Sequence, residues 1–374
     1  MSGTCEIVRY RPEHKDAVAR LQTVLWSRDA AANRRYFEWK YEANPWADEP
    51  RVYLGVRGGE VVGMRGFFES RWQVGANGPA ISVPQADDFA IAVGERNGGL
   101  ATQIMQAALA DLAASGIDYV FCLSAGFVTM LGSLAQGWKS AGRHEPLVRR
   151  EPGPAWLVAL RARIAHARVI WRWADSPILR SAAERRPFHW LDRAPSPAGI
   201  SITREPRPLE LAALCATLPE DGRLRHVRSA EYLAWRFANP MHDYRFLTAG
   251  QDGRLTGCLV LRSRVMGQAP TPQVCVAELV GRDAQVRVAL LAAALDAGRF
   301  AELVVWDARL GAEERALLRE RGFAPLDPAR GARGHPCALV RSTRALPASE
   351  WRIGGRALLD PATWDLRMLD SMAG

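Results

Sequence analysis

The stretch from Gln85 to Ala110 reads Q-A-D-D-F-A-I-A-V-G-E-R-N-G-G-L-A-T-Q-I-M-Q-A-A-L-A, and its reading decides the fold. Phe89, Ile91 and Val93 alternate with small residues, the period of a strand with one side buried. The alternation stops at Gly94. From Arg96 the chain runs through R-N-G-G-L-A into a helical pattern with Leu100, Ile104, Ala108, Leu109 and Leu112 at its apolar positions. A strand, a glycine turn and a helix that starts at the turn make an anion site. The first N–H groups of a helix have no partner within it, and the helix dipole adds partial positive charge at the same end. Gly98 and Gly99 let a ligand approach the backbone, and Arg96 puts a full charge beside it.

The segment matches neither the dinucleotide pattern G-x-G-x-x-G nor the nucleotide triphosphate pattern G-x-x-x-x-G-K-[ST]. It resembles R-x-x-G-x-A, the pyrophosphate loop of the GNAT superfamily of N-acyltransferases, with Arg96, Gly99 and Ala101 on the three fixed positions. The resemblance implies that Arg96, Asn97, Gly98, Gly99, Leu100 and Ala101 hold the pyrophosphate of an acyl-coenzyme A, acetyl-coenzyme A first among them. It also implies that the strand backbone at Ile91 and Val93 pairs with the pantetheine arm.

The likeness extends over the first 150 residues. E-I-V-R-Y-R-P-E-H-K-D-A-V-A-R-L resembles the family's first strand and helix, and Val52 to Phe68 reads as a hairpin turning at Gly58-Gly59. Ile117 to Ser124 is a continuous apolar strand. A short helix then runs to Gly137-Trp138, where the family usually has Gly-Phe, and Leu147 to Arg150 reads as the last strand.

The chain also repeats itself. Tyr36 to Pro45, Y-F-E-W-K-Y-E-A-N-P, recurs one residue shorter as Y-L-A-W-R-F-A-N-P from Tyr232 to Pro240. Downstream and in the same order, Gly58 to Gly63 matches Asp252 to Gly257, Gly137-Trp138 matches Gly322-Phe323, and L-V-R at Leu147 matches L-V-R at Leu339. Two copies of one αβ unit follow, each expected as a central mixed sheet flanked by helices. The expected division is a first unit over 1–150, a linker over 151–205 and a second unit over 206–374. Aligning Val93-Gly94 with Val280-Gly281 sets Asp283 against Arg96, Val286 against Gly99 and Val288 against Ala101. A carboxylate repels a pyrophosphate and a β-branched side chain blocks close approach, so the second copy is expected to have lost the cofactor turn.

Composition limits the function classes. The net charge is +9, yet Lys occurs only at positions 15, 40 and 139, so the basic charge is almost all Arg. Abundant Arg, Ala, Gly and Pro together are what high-GC coding produces, and nucleic acid is not an expected partner. The six cysteines, Cys5, Cys122, Cys215, Cys258, Cys275 and Cys337, are scattered, and no His cluster accompanies them. That pattern argues against a metal site or a disulfide framework, and with no signal-peptide pattern it makes the cytoplasm the expected location. Trp156 to Trp173 carries arginines at 161, 163, 168 and 172. Such a helix can lie on an anionic membrane surface or pack between the two halves; its tryptophans are spread around it, which favours packing.

Acyl transfer to an amine needs the amine neutral. Asp87 and Asp88 lie just upstream of the loop, and one of them is the expected base, directly or through water. Neighbours on a strand face opposite sides, so at most one is expected to point at the substrate. The resemblance puts an acidic Tyr at the position held here by Ser133, which leaves the acid unassigned. Trp39, Tyr41 and Asn44 are candidates for the acceptor cleft, although the recurrence of Trp235, Phe237 and Asn239 in a copy without the turn favours packing. The expected function is N-acyl transfer, most simply N-acetyl transfer, to a small-molecule or peptide amine. Two rivals are a Fem-type aminoacyl-tRNA-dependent transferase and a non-enzymatic acyl-coenzyme A sensor or scaffold. The C-terminal W-D-L-R-M-L-D, Trp364 to Asp370, carries no readable chemistry.

Overall fold

The structure is a computed structural model that describes residues 5–75, 78–96, 98–150, 187–219, 221–264, 273–326 and 337–372. In the first half, β1 (Glu6–Arg9) leads to α1 (Lys15–Leu21) and α2 (Ala30–Phe37). Strands β2 (Arg51–Arg57), β3 (Glu60–Phe68), β4 (Arg71–Val74), β5 (Ile81–Ser82) and β6 (Gln85–Ile91) follow. Then come α3 (Leu100–Ala114), β7 (Tyr119–Ala125), α4 (Phe127–Ala135), β8 (Lys139–Arg143) and β9 (Pro146–Arg150). The second half runs β10 (Ile200–Thr203), α5 (Pro208–Ala216), β11 (Leu224–His226) and α6 (Ala230–Phe237). It continues with β12 (His242–Gln251), β13 (Arg254–Arg264), β14 (Gln273–Gly281), α7 (Ala284–Ala297), β15 (Glu302–Trp306), α8 (Ala312–Glu320) and β16 (Ala324–Pro325). After β17 (Cys337–Ser342), a small hairpin of β18 (Arg352–Ile353) and β19 (Arg356–Ala357) precedes β20 (Trp364–Asp365).

Each half is a mixed sheet with helices on both faces. The first sheet has the order β1-β2-β3-β6-β7-β17-β8, the second β10-β12-β13-β14-β15-β9-β16. Helices α3 and α4 share one core with Phe67, Val120 and Leu339. On the opposite face, Val18 of α1 and Phe37 of α2 pack with Leu54 and Met64. Helix α3 buries Leu100, Ile104, Met105, Ala108 and Leu112, the stripe that its i, i+4 spacing anticipates, and Leu109 is partly covered.

The sheets correct one expectation. Leu147 to Arg150 does not close the first unit: β9 inserts into the second sheet beside β15, while β17 inserts into the first between β7 and β8. The two L-V-R matches are therefore exchanged strands, each filling its slot in the other half's sheet. Alternation identifies a strand but not its partner, and two strands of like pattern fit either slot. The second sheet begins at Ile200, inside the stretch expected as linker. The expected helix from Trp156 to Trp173 lies outside the described residues.

The repeated motif forms the joint between the halves. Trp39 and Trp235 stack with ring centres 4.7 Å apart and planes within 9°. Each indole N–H donates to the other's backbone carbonyl at 2.7 Å, so the pair is related by a local two-fold. Trp46 stacks on Tyr232 at 4.6 Å, and one apolar core runs from Tyr10 to Met372 through both halves. Asn44 and Asn239 end their helices alike, accepting from Trp46 N and Met241 N. Strand β11 pairs with β4 and adds a third sheet across the joint.

Two predictions follow from this packing. Trp39→Ala removes a stacked ring and leaves the Trp235 carbonyl without its donor, so it should cost about 3–5 kcal/mol by urea denaturation. The Trp39→Ala/Trp235→Ala double variant should cost clearly less than the sum, because both substitutions delete one shared contact. The second concerns acid. Burial holds His226 and His242 well below the usual histidine range, and pushes His144, stacked on Trp306 at 3.8 Å, down to about 4. All three stay neutral in the fold but protonate in the unfolded chain below pH ~6.5, so stability should fall with pH, each group approaching about 1.4 kcal/mol per unit. Buried Asp370, pushed up to about 6, opposes this between roughly pH 4 and 6 by holding a proton that the unfolded chain releases. Denaturation curves at pH 7 and pH 5 that coincide would contradict this balance.

Candidate active site

Strand β6 is paired with β7, in parallel, only at Gln85 and Phe121. Beyond that rung the two strands part. The β3–β6 register also shifts between Met64 and Gly66, and the extra residue is Asp88, whose φ is +47°. The bulge overturns two expectations. The buried positions of β6 are Gln85, Ala86, Asp88 and Ala90, whereas Phe89 is exposed and Ile91 only half-buried. Val93 has left the strand for a single 3-10 turn and is 73% exposed. Asp87 and Asp88, moreover, do not face opposite sides: both reach Lys40.

Lys40 Nζ lies 2.7 Å from Asp87 Oδ2 and 3.0 Å from Asp88 Oδ1, with its side chain wholly buried among the rings of Trp26, Tyr36, Tyr41 and Phe68. Burial opposes the ammonium, but the two carboxylates outweigh it and hold the Lys40 pKa well above its ordinary value. Asp88 also accepts from Gln22 Nε2 at 3.1 Å, Trp26 Nε1 at 2.9 Å and Tyr41 Oη at 3.0 Å. Four donors fill both of its oxygens, although burial pushes its pKa up. Asp88 is therefore an anchor for β6, the π-helical turn Glu38–Glu42 that follows α2, and the segment after α1. Asp87 is different: its side chain is 26% exposed and Lys40 is its one hydrogen-bond partner among the described residues.

Lys40 is the residue that motif reading passes over. Its signal lies in composition: a chain with three lysines keeps one at a buried position whose counterpart in the second copy is Arg236. The candidates Trp39, Tyr41 and Asn44 are 7%, 1% and 3% exposed. Trp39 meets Trp235, Tyr41 meets Asp88 in the space left by the missing side chain of Gly66, and Asn44 Nδ2 donates to Glu69 O. All three are buried in packing and hydrogen-bond contacts.

The turn before α3 lies next to the parting of the strands. Gly99 is the helix N-cap, with φ +75° and no side-chain cap, so the amides of Leu100 and Ala101 have no intrahelical acceptor. A Cβ at Gly99 would meet nothing within 4 Å, so its left-handed backbone is what requires glycine. Arg96, Gly98 and Gly99 are exposed, while Asn97 lies outside the described residues. Just past the open end of β7, α4 leaves Phe127 and Leu131 exposed, and Ser133 sits on the same helix. From the second half, Arg264 stacks over Trp26 at 5.1 Å and so borders the Asp88 cluster.

The second copy has the same frame with the opening closed. Counted from the matched hairpin turns, Gly257 pairs with Gly281 as Gly63 pairs with Ile91. The N-cap Gly99 then lies eight positions after Ile91, but the N-cap Asp283 only two positions after Gly281. Asp283 thus stands at the place of Gly99, not of Arg96, and its carboxylate accepts from Val286 N at 2.8 Å. The helix start is capped by its own chain. By the same register Val260 pairs with Glu278 as Gly66 pairs with Asp87. Glu278 is buried between Arg228 at 2.8 Å and Arg367 at 2.6 Å, which together hold its carboxyl below the usual range against the pull of burial.

The C-terminal segment accounts for that arrangement. Strands β14 and β15 pair from Gln273 to Cys275 and then part. Met368 packs there against Cys275, Val304 and Trp306, and Arg367 Nη1 donates to the Leu279 carbonyl of β14 at 2.7 Å. Arg236 holds the segment from behind through the carbonyls of Leu369 and Ser371. Trp364 to Asp370, unreadable as sequence, fills the gap that stays open in the first copy.

No protein-family model matches the sequence, nor does any curated protein. Among the described residues no group of His, Cys, Asp and Glu is placed to hold a metal ion, and no helix is long and apolar enough to cross a membrane. Solved structures do match. A GCN5-related N-acetyltransferase from Anabaena variabilis superimposes with a TM-score of 0.57 at 10% identity, over 93% of this chain and 75% of that one. A GCN5-related N-acetyltransferase from Kribbella flavida gives 0.50 at 12% identity, over 91% and 71%. A tandem GNAT protein from the clavulanic acid biosynthesis pathway gives 0.51 at 13% identity, over 92% of this chain and all of that one. The chain has the tandem fold of the GNAT N-acyltransferases, with a second copy whose glycine turn is lost.

Proposed function

We propose that the first half transfers an acyl group, acetyl in the simplest case, from acyl-coenzyme A to an amine. The observation that supports this best is the contrast between the copies: an uncapped glycine turn beside parted strands in one, a self-capped turn beside a filled gap in the other. The free amides of Leu100 and Ala101 with the Arg96 guanidinium suit a pyrophosphate. The open edge of β6 offers backbone partners at Ile91 for the pantetheine amides, with the exposed Phe127 and Leu131 as an apolar lip.

The chemistry then falls to Asp87. The thioester carbon lies in the notch where β6 and β7 part beyond Gln85 and Phe121, the amine attacks it, and the Asp87 oxygen not held by Lys40 accepts the amine proton directly or through one water. Collapse of the tetrahedral adduct breaks the carbon–sulfur bond, and the thiolate takes a proton from solvent. Lys40 keeps Asp87 pointed at the notch. The acceptor faces Asp87 from the side of Trp26 and Arg264, so the second half contributes one wall of the acceptor cleft. We further propose that the working units are 1–150 and 206–374 as sequence copies, each completed by the other's exchanged strand. A cytoplasmic location accords with six cysteines of which none is paired.

Calorimetry should find one acetyl-coenzyme A site per chain with a micromolar dissociation constant, roughly −7 to −8 kcal/mol. Gly99→Val, which forces a β-branched residue into a left-handed backbone, should abolish the ligand-induced rise in melting temperature, and Val286→Gly should leave it unchanged. Two equal sites per chain would refute the asymmetry.

Asp87→Asn should still bind acetyl-coenzyme A but lose about 10² to 10⁴ in turnover, and the loss should shrink between pH 6.5 and 9.5 as the acceptor amine arrives already neutral. Asp88→Asn should act instead on stability, costing about 3–5 kcal/mol by leaving Lys40 partly uncompensated. Wild-type turnover in Asp87→Asn across that range would place the base elsewhere.

A further inference from the structure

The second half is closed to an acyl donor but not to ligands. Beside the filled gap lies a cavity of about 470 Å³, bounded by Cys215 of α5, the chain from Arg225 to Ser229, the end of β14 and Asp365. Its place in the copy corresponds to the region around Gln22 and Trp26 in the first half, the side from which an acceptor reaches Asp87. Gln73 of β4 completes the wall, so the cavity sits at the joint between the halves.

Six arginines line it: Arg225, Arg228, Arg282, Arg287, Arg309 and Arg367. Five of these hold carboxylates. Arg228 and Arg367 share Glu278, Arg309 contacts Asp221 at 3.0 Å and Asp365 at 2.9 Å, Arg287 pairs with Glu314, and Arg282 with Asp283 at 3.0 Å. These pairs form a lattice that fixes the arginine planes and occupies most of their donors. Two features depart from it. Arg225 is half-buried and its side chain has no carboxylate or hydrogen-bond partner among the described residues. The Nε–H of Arg309 is buried and, although near Asp365, lies outside hydrogen-bonding geometry. A buried guanidinium donor without an acceptor is unfavourable, and a bound anion would satisfy it.

We infer that this cavity is a second binding site, for a small organic anion whose phosphate or carboxylate group is held by Arg225 and reaches Arg309. A guanidinium fork matches either group with two parallel hydrogen bonds. The one thiol in its wall, Cys215, is buried, and burial pushes its pKa up to about 11, which leaves it protonated. Strand β11, which carries Arg225, is paired to β4 of the first half, with Arg225 opposite Gln73. Occupancy therefore braces the joint on which both halves depend. The inference stands apart from acyl transfer and needs no chemistry in the first half.

The test is thermal unfolding and calorimetry of the full chain with inorganic phosphate and, separately, with malonate, at ionic strength held constant with sodium chloride. The expected result is a saturable rise in melting temperature with one site per chain for at least one of the two. A response to phosphate alone assigns a phosphate ligand, and a response to malonate alone assigns a carboxylate. Arg225→Gln should weaken that binding at least tenfold, and Arg225→Lys, which keeps charge but not the fork, should weaken it less. Acetyl-coenzyme A binding should be the same in all three proteins, which separates this site from the one in the first half. Stabilisation no greater than that of chloride, or wild-type affinity in Arg225→Gln, would overturn the inference.

Discussion

The reciprocal pair of Trp39 and Trp235 is the constraint around which the molecule is organised. Each indole satisfies its N–H on the other half's backbone, so neither helix end can be buried correctly without its partner. The exchanged strands make the same demand at the far side of each sheet. Strand β17 completes the first half from the end of the chain, and β9 completes the second from its middle. Neither sheet is whole without the other half, so the copy without the glycine turn supplies structure that the first copy cannot provide for itself.

Within this symmetric frame the two copies were driven apart by small local changes. A shorter turn puts Asp283 at the helix start, where its carboxylate caps an amide that would otherwise lack an acceptor. Two arginines neutralised Glu278 at the position of Asp87, and the C-terminal segment closed the gap between β14 and β15. Each change satisfies a buried polar group from within the chain. The first copy leaves the corresponding helix amides uncapped and Asp87 partly exposed.

Lys40 shows how the same economy works inside the candidate site. A buried ammonium is unfavourable alone, and so are a buried carboxylate and a half-buried one side by side; together they are stable, and the bulge at Asp88 is what brings them into reach. The arrangement spends one aspartate on anchoring the fold and leaves the other at the edge of the notch. A strand of regular pleat would have sent the two side chains to opposite faces, and neither arrangement could be told from the letters D-D.

The local features were legible in the sequence because they depend on near neighbours. The glycine turn from Arg96 to Ala101, the stripe on α3, the hairpins and the Trp and Asn-Pro repeat all follow from periodicity and backbone preference within a few residues. What the tertiary structure alone decided rests on contacts between distant positions. The exchange of β9 and β17, the burial of Trp39, Tyr41 and Asn44, the meeting of Lys40 with two carboxylates, and the seating of Met368 between β14 and β15 each join residues far apart in the chain. An alternating pattern states which face of a strand is apolar, but the partner strand is chosen by the packing of the whole, and only the folded chain contains that choice.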